Sequence, residues 1–134
     1  MLDDDFKKLL EDAKGLANKR ILNEYCISGQ VACALMTVDG NIYTGISLTA
    51  KCALGNCAEV AAVLEALKHG ETKIAKILAY SYHDCIYAMC GRCREYLRQI
   101  DEANLETVVL LDMNGTACQL KELLPNVFVR RGTQ

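Results

Sequence analysis

Tryptophan is missing from the sequence, and Pro125 is the only proline among its 134 residues. Long apolar runs are missing too, although 51% of the residues are hydrophobic. A membrane-spanning helix needs about 20 consecutive apolar residues, so the sequence predicts none. No linker, internal repeat or low-complexity segment divides the chain. A chain of this length suits one core, and we therefore predict a single domain over residues 1–134.

The sequence also lacks an excess of charge of either sign. The sequence has fifteen Lys and Arg and seventeen Asp and Glu. It therefore has no excess of basic residues that could bind a polyanion such as a nucleic acid. We therefore expect no nucleic-acid partner. The first ten residues, MLDDDFKKLL, are acidic where a secretory signal is positive. We expect a cytoplasmic protein that does not bind membranes.

Cysteine is abundant, with eight residues. In a protein that is not exported we expect thiols rather than disulfides, and free cysteine behaves as a small hydrophobe. Five of the eight lack ligand spacing and are predicted to be core or loop residues: Cys26, Cys33, Cys52, Cys85 and Cys118. The other three, Cys57, Cys90 and Cys93, precede or begin predicted helices and are candidates for chemistry.

Hydrophobic periodicity predicts alternating helices and strands. The predicted helices cover residues 2–21, 58–70, 91–100 and 120–124, and the main strands cover 30–38, 42–48, 73–82 and 106–113, with a short strand after the Asn114-Gly115 turn. Strands and helices of this composition bury their apolar faces by packing in layers. We therefore predict an α/β protein, a three-layer α/β/α sandwich around a mixed sheet of about five strands.

Two short motifs predict a metal site. Cys57-Ala58-Glu59 opens one helix, and Cys90-Gly91-Arg92-Cys93 opens another. Helix N-termini stabilise thiolates, so two such ends can hold three thiolates around one zinc ion. Three protein ligands leave the fourth position of a tetrahedral zinc open, as in catalytic sites. Glu59 can then take a proton from water and pass it to a leaving amine.

Three alternatives remain open for these residues. A closed structural zinc site would recruit a fourth ligand such as Cys52, Cys85 or His83. A redox Cys-x-x-Cys would use Cys90 and Cys93 alone. A third alternative is a zinc-stabilised binding module that has the fold but no turnover.

The same motifs resemble those of the small cytidine deaminases, which carry Cys-Ala-Glu and Pro-Cys-Gly-x-Cys-Arg. The resemblance implies one Zn²⁺ per chain on Cys57, Cys90 and Cys93, with Glu59 as the catalytic residue. It implies hydrolytic deamination of a cytosine-type nucleoside to the uracil form, with release of ammonia. It also implies that Ala58 contacts the base and that a homotetramer shares residues between neighbouring sites.

Four stretches are similar to blasticidin S deaminase, a relative that acts on a cytosine-containing antibiotic. They cover residues 31–45, 57–60, 90–95 and 121–132. The last stretch contains Phe128, which the resemblance places in the substrate pocket of its own or a neighbouring subunit.

The chain departs from the typical family pattern near the expected sugar and metal positions. Ser47-Leu48-Thr49 replaces the Asn-x-Glu that holds ribose hydroxyls, so we predict that Ser47 and Thr49 contact substrate and that plain cytidine binds poorly. Met89 replaces the proline before Cys90. Val60 replaces an arginine that offsets thiolate charge in many tetrameric members, and we predict that Arg94 or Arg92 supplies that charge.

Overall fold

The computed structural model describes residues 1–130. The last four residues of the predicted domain 1–134 and the last two of the stretch 121–132 therefore lie outside the described residues. The elements in chain order are α1 (Asp4–Leu16), β1 (Arg20–Ile21), β2 (Ile27–Thr37), β3 (Ile42–Thr49), α2 (Ala58–Lys68), β4 (Ile74–Ser81), β5 (Cys85–Tyr87), α3 (Gly91–Ile100), a 3₁₀ helix (Glu102–Glu106), β6 (Val108–Leu110), β7 (Ala117–Gln119) and α4 (Leu120–Leu123).

The strands form one seven-stranded mixed sheet. Its continuous row is β3-β2-β4-β6-β7, in which β4 and β6 are parallel and the other neighbours are antiparallel. Strands β1 and β5 add short antiparallel pairings to β2 and β4. The predicted number of about five strands corresponds to the five strands of this row. The two extra strands have two and three residues, too few for an alternation that a sequence could reveal.

Helices cover both faces of the sheet. On one face α1 buries Phe6, Leu9 and Leu10 in a cluster that also contains Ala32 and Ala34 of β2. The next residues along β2, Cys33 and Leu35, point the other way and join a second cluster with α2 and α3. This alternation follows from the two-residue repeat of a strand. The predicted α/β/α sandwich is confirmed.

The first helix is shorter than the predicted span of residues 2–21, which was wrong at its C-terminal end. Helix α1 ends at Leu16, and Ala17 already has the extended ψ of 107°. The N–H of Asn18 donates to the C=O of Gly29 at 2.9 Å, and β1 then pairs with β2. Backbone bonds to the sheet therefore replace further helical turns.

Close packing brings α2 onto the sheet. Gly45 of β3 lies against the helix, because a Cβ built there would come within 2.7 Å of three atoms of Ala58, Ala61 and Ala62. Gly70 follows the helix with φ +82° and provides the predicted glycine cap. The N-terminus of α2 is thus held at the end of β3, where the candidate site lies.

No helix within residues 1–130 combines the length and the apolar character needed to cross a bilayer.

Candidate metal and substrate site

The fold brings the three predicted ligands together at two helix N-termini. Cys57 is the N-cap residue of α2, and Cys90 is the N-cap residue of α3. Cys93 lies in the first turn of α3 and is fully buried. The Sγ atoms of Cys57, Cys90 and Cys93 all lie within 4.8 Å of one another. Neither N-cap side chain makes a capping hydrogen bond, so both are available as ligands.

The spacing of the sulfurs fits a zinc ion. The Sγ atoms of Cys57 and Cys90 are 3.8 Å apart. Tetrahedral zinc with Zn–S bonds of about 2.3 Å places two sulfurs about 3.8 Å apart. Thiolates are ligands that zinc prefers. One metal ion can therefore be held by this cluster.

Within residues 1–130 this cluster contains no fourth histidine, cysteine or carboxylate. The three residues weighed as a fourth ligand, Cys52, Cys85 and His83, are not members of it. Three protein ligands correspond to the open zinc site of catalytic proteins rather than to a closed structural one.

Glu59 lies in the first turn of α2 and is 5% exposed. Together with Cys57 and Cys90 it lines a cavity of about 900 Å³, within the size range of small-molecule sites. Burial raises the pKa of the Glu59 carboxyl, and hydrogen bonds from its own backbone N–H and from Cys93 oppose that rise. A buried carboxyl of this kind can both accept and donate a proton.

The thiols differ in their tendency to ionise. Burial raises the pKa of Cys57 and, together with the negative charge of Glu59, raises that of Cys93. For Cys90, burial acts upward, but the backbone N–H of Cys93 and the neighbouring thiols outweigh it and lower the pKa. Two of the three thiols therefore resist ionisation without a cation, and metal binding must displace their protons.

Most of the predicted substrate residues line this cavity. Ala58, Ser47 and Thr49 belong to its wall. The Oγ of Ser47 accepts from the N–H of Val31 at 3.0 Å, and the hydroxyl of Thr49 donates to Gln30 Oε1 at 2.9 Å. The β2–β3 hairpin thus places both side chains beside the cysteine cluster.

The two candidate arginines occupy different positions. Arg92 is exposed and lines the cavity. Arg94 instead donates from Nε to the C=O of Met89 at 2.7 Å and from a terminal nitrogen to the C=O of Ala88 at 3.3 Å. Arg94 therefore anchors the segment that leads into Cys90. Compensation of thiolate charge by either arginine stays a prediction.

Phe128 does not line this cavity. It is 65% exposed and borders a separate depression with Arg98 and Arg130. Phe128 is therefore not part of the cavity wall of its own chain. Contact of Phe128 with the substrate of a neighbouring subunit in the predicted tetramer stays a prediction.

Sequence reasoning missed several lining residues. Four residues that were not predicted as site residues line the cavity: Gln30, Asn56, Tyr82 and Tyr87. His83, which was weighed as a fourth zinc ligand, lines it as well. Asn56 could have been suspected, because it directly precedes Cys57. The others come from β2, β5 and the loop after β4, and no spacing in the sequence links them to the cysteines.

Comparison with known proteins agrees with the fold and with a zinc-binding family. The family model described as "Cytidine and deoxycytidylate deaminase zinc-binding region" matches residues 4–111. The matched range includes Cys57, Glu59, Cys90 and Cys93.

Solved structures of cytidine deaminases are similar over nearly the whole chain. A point mutant of the enzyme from Mycobacterium tuberculosis is 25% identical, with a TM-score of 0.76, and covers 95% of this chain and 100% of its own. The enzyme from Burkholderia pseudomallei is 28% identical, with a TM-score of 0.71, and covers 91% of this chain and 98% of its own. The enzyme from Bacillus anthracis is 27% identical, with a TM-score of 0.66 and coverage of 89% and 86%.

Proposed function

Because the chain belongs to the cytidine and deoxycytidylate deaminase family, we propose that it hydrolytically deaminates a cytosine-type nucleoside or nucleoside analogue. Cytidine, deoxycytidine and a compound like blasticidin S are the candidate substrates, and the uracil form and ammonia are the products. One observation carries the proposal: buried Glu59 shares a cavity with an open cluster of three cysteines.

The proposed reaction replaces the exocyclic amino group of the cytosine ring by oxygen from water. Cys57, Cys90 and Cys93 would hold the zinc ion, and the bound ion would supply the Lewis acidity that makes water nucleophilic near neutral pH. The Glu59 carboxylate accepts a proton from the water and passes it to the ring nitrogen next to the attacked carbon. It then carries the second proton of that oxygen to the amino nitrogen, which leaves as ammonia as its bond to carbon breaks and the carbon–oxygen double bond forms. Water is consumed and no redox change occurs, so no second cofactor is required.

Other cavity residues hold the substrate in this proposal. The backbone of Ala58 contacts the base at the start of α2, and the hydroxyls of Ser47 and Thr49 contact the sugar. These contacts are supported by the position of all three residues in the wall of the cavity that contains Glu59. Met89 keeps its place before Cys90 without proline, because Arg94 bonds to its C=O.

Substitution of Glu59 by glutamine tests the proposal. General acid and base catalysis contributes about 10²–10⁴-fold to a rate, so Glu59→Gln should lower kcat by at least about a hundredfold. Zinc content, measured by atomic absorption, should remain near one ion per chain. Glu65→Gln is the matched control, since Glu65 lies on the same helix with a partly exposed side chain that does not line the cavity.

If Glu59→Gln keeps the kcat of the wild type, Glu59 does not transfer the proton in the reaction. A zinc-loaded wild type that releases no ammonia from cytidine, deoxycytidine or blasticidin S would favour the non-catalytic binding module instead.

We further propose a single-domain cytoplasmic protein that assembles as a homotetramer with shared active sites. The support is the family membership and two exposed apolar residues near the C-terminal end of the described chain, Phe128 and Val129, at 65% and 55% exposure. Exposed apolar groups of this kind often contact a partner. Sedimentation of the zinc-loaded protein should give four chains per particle, and a single chain would contradict the assembly.

A further inference from the structure

The three cysteines of the cluster differ in their access to the cavity. Cys57 and Cys90 both line its wall, whereas Cys93 does not line it and is fully buried. Cys90 is exposed, and Cys57 is partly exposed. Reactive cysteines are accessible ones. A small reagent that enters the cavity therefore meets the sulfurs of Cys57 and Cys90 and not that of Cys93.

The two accessible sulfurs are also close to each other. The Sγ atoms of Cys57 and Cys90 are 3.8 Å apart, and a disulfide bond brings two sulfurs to about 2.0 Å. Both residues are N-caps, and neither side chain is held by a capping hydrogen bond. Both side chains are therefore free to turn towards each other at the rim of the cavity.

The other two pairings in the cluster involve Cys93, whose side chain is packed in the core. Cys93 belongs to the buried cluster that α2 and α3 form against the sheet, and close packing restricts the rotation of a buried side chain. Cys90 and Cys93 are the pair that a redox Cys-x-x-Cys would use. Access and packing together favour the pair Cys57 and Cys90 instead.

We propose that Cys57 and Cys90 form a reversible redox switch that controls metal binding at this site. A hydroperoxide oxidises one of the two thiols to a sulfenic acid and is itself reduced to an alcohol, or to water in the case of hydrogen peroxide. The other thiol attacks the sulfenic sulfur, so that the disulfide bond forms and water leaves. The protein loses two electrons and two protons, which a dithiol reductant returns.

The disulfide removes two of the three candidate zinc ligands, so the oxidised chain loses the ion. This regulation rests on the proposed function, because it acts on the same site. The new bond also joins the starts of α2 and α3, and a cross-link of this kind restricts the unfolded chain. The oxidised chain without zinc should therefore have a Tm several degrees above that of the reduced chain without zinc.

Treatment of the zinc-loaded protein with hydrogen peroxide tests the proposal. We expect release of one zinc ion per chain, measured with a chromophoric chelator. Thiol titration of the denatured protein should show the loss of two of the eight thiols. A dithiol followed by zinc should restore both the thiols and the bound ion.

Tryptic peptides identify the two partners, because cleavage after Arg92 separates Cys90 from Cys93. A bond between Cys57 and Cys90 joins peptide 52–68 to peptide 77–92, whereas a bond between Cys90 and Cys93 joins peptide 77–92 to peptide 93–94. Cys52 and Cys85 lie in the same two longer peptides but outside the cluster. The double variant Cys52→Ser, Cys85→Ser is therefore the matched control and should give the same linked peptides.

Linkage of peptides 52–68 and 77–92 in this control, together with zinc release that a dithiol reverses, supports the proposal. Zinc that stays bound under peroxide, zinc release without a disulfide, or a bond that includes Cys93 overturns it. None of these measurements depends on deamination, so they decide the proposal even if no substrate is deaminated and the proposed function fails. A protein that deaminates but does not form this bond leaves the proposed function established.

Discussion

The candidate metal-binding and catalytic residues lie at the N-terminal ends of helices rather than in their middles. Cys57 and Cys90 are both N-cap residues, with extended ψ values of 150° and 161°. An N-cap side chain can project beyond the first turn, and the unpaired N–H groups there favour a thiolate. Glu59 is two residues into α2, so it reaches the same cavity from inside the turn. One helix start thus presents both a candidate metal ligand and the proposed proton carrier.

Glycine at position 45 allows that helix start to reach the sheet. A Cβ at this position would lie 2.5 Å from the Ala62 nitrogen and 2.7 Å from the Ala58 oxygen. Both are backbone atoms of α2, so the helix itself would have to move. We expect Gly45→Ala to lower the free energy of unfolding by about 1–3 kcal/mol, the usual cost of overpacking. Thermal and urea denaturation would measure it.

Gly15→Ala is the matched control for this substitution. Gly15 lies in α1, and a Cβ there meets nothing within 4 Å. Alanine is favoured over glycine in helices, so this change should stabilise the protein by about 0.5–1 kcal/mol. Equal stability of Gly45→Ala and the wild type would show that α2 does not need this close approach.

The residues that sequence reasoning identified share a local signature, and those that it missed do not. Cys57, Glu59, Cys90 and Cys93 stand at fixed spacings beside helix starts, so the sequence alone could predict that they share one site. Gln30 enters the cavity through a bulge, which depends on the pairing of β2 with β3. Such a contact is set by tertiary structure and leaves no periodic pattern in the sequence.

At the scale of elements, the buried side chain of Asn104 joins two segments, the start of β4 and the C-terminal half of α3. Its Oδ1 accepts from the Ile74 N–H at 2.8 Å. Its Nδ2 donates to the C=O of Leu97 at 2.9 Å and to that of Thr72 at 3.0 Å. The residue is fully buried, so water cannot replace these bonds. Asn104 therefore fixes the C-terminal half of α3 against the start of β4.

Removal of this amide should be costly. Asn104→Ala takes the side-chain acceptor from the buried Ile74 N–H and one donor from each of the carbonyls of Leu97 and Thr72, at about 1–3 kcal/mol for each group left unsatisfied. We expect a loss of about 3 kcal/mol in the free energy of unfolding, measured by urea denaturation. Asn126→Ala, at an exposed position, should change stability by less than about 0.5 kcal/mol. Similar losses in the two variants would contradict the bridging role.

The elements that sequence reasoning placed well are the ones with long amphipathic patterns. Helices α2 and α3, and strands β2 to β4, lie close to their predicted spans. The end of α1 and the existence of β1 and β5 were missed, because each depends on a backbone pairing of only two or three residues with a neighbouring strand. Short edge pairings of this kind carry no periodicity of their own.

At the scale of the whole molecule, the cysteine cluster links the two helices that form one layer of the fold. Cys57 belongs to α2 and Cys90 and Cys93 belong to α3, and both helices pack on the same face of the sheet. A cation bound to all three therefore ties the two helices to each other at their N-termini. The same helices contribute much of the larger buried cluster, so the metal site and the core are parts of one cooperative unit.

Removal of zinc should therefore lower the stability of the whole domain. A ligand that binds only the folded state adds about 4 kcal/mol of stability when its concentration is a thousandfold above Kd. Binding to cysteines of the unfolded chain reduces that figure. We expect a chelator to lower Tm by several degrees, and stoichiometric zinc to restore it, as measured by differential scanning calorimetry.

Variants distinguish the metal from a general effect of the chelator. Cys90→Ser removes a ligand at the exposed side of the cluster, so its Tm should already be low and should respond little to chelator. Cys118→Ser is the matched control, because Cys118 lies on β7 outside the cluster and should keep the full response to zinc. If the wild type and Cys90→Ser respond equally to chelator and to added zinc, the ion does not link α2 to α3, and the cluster has no part in holding the domain together.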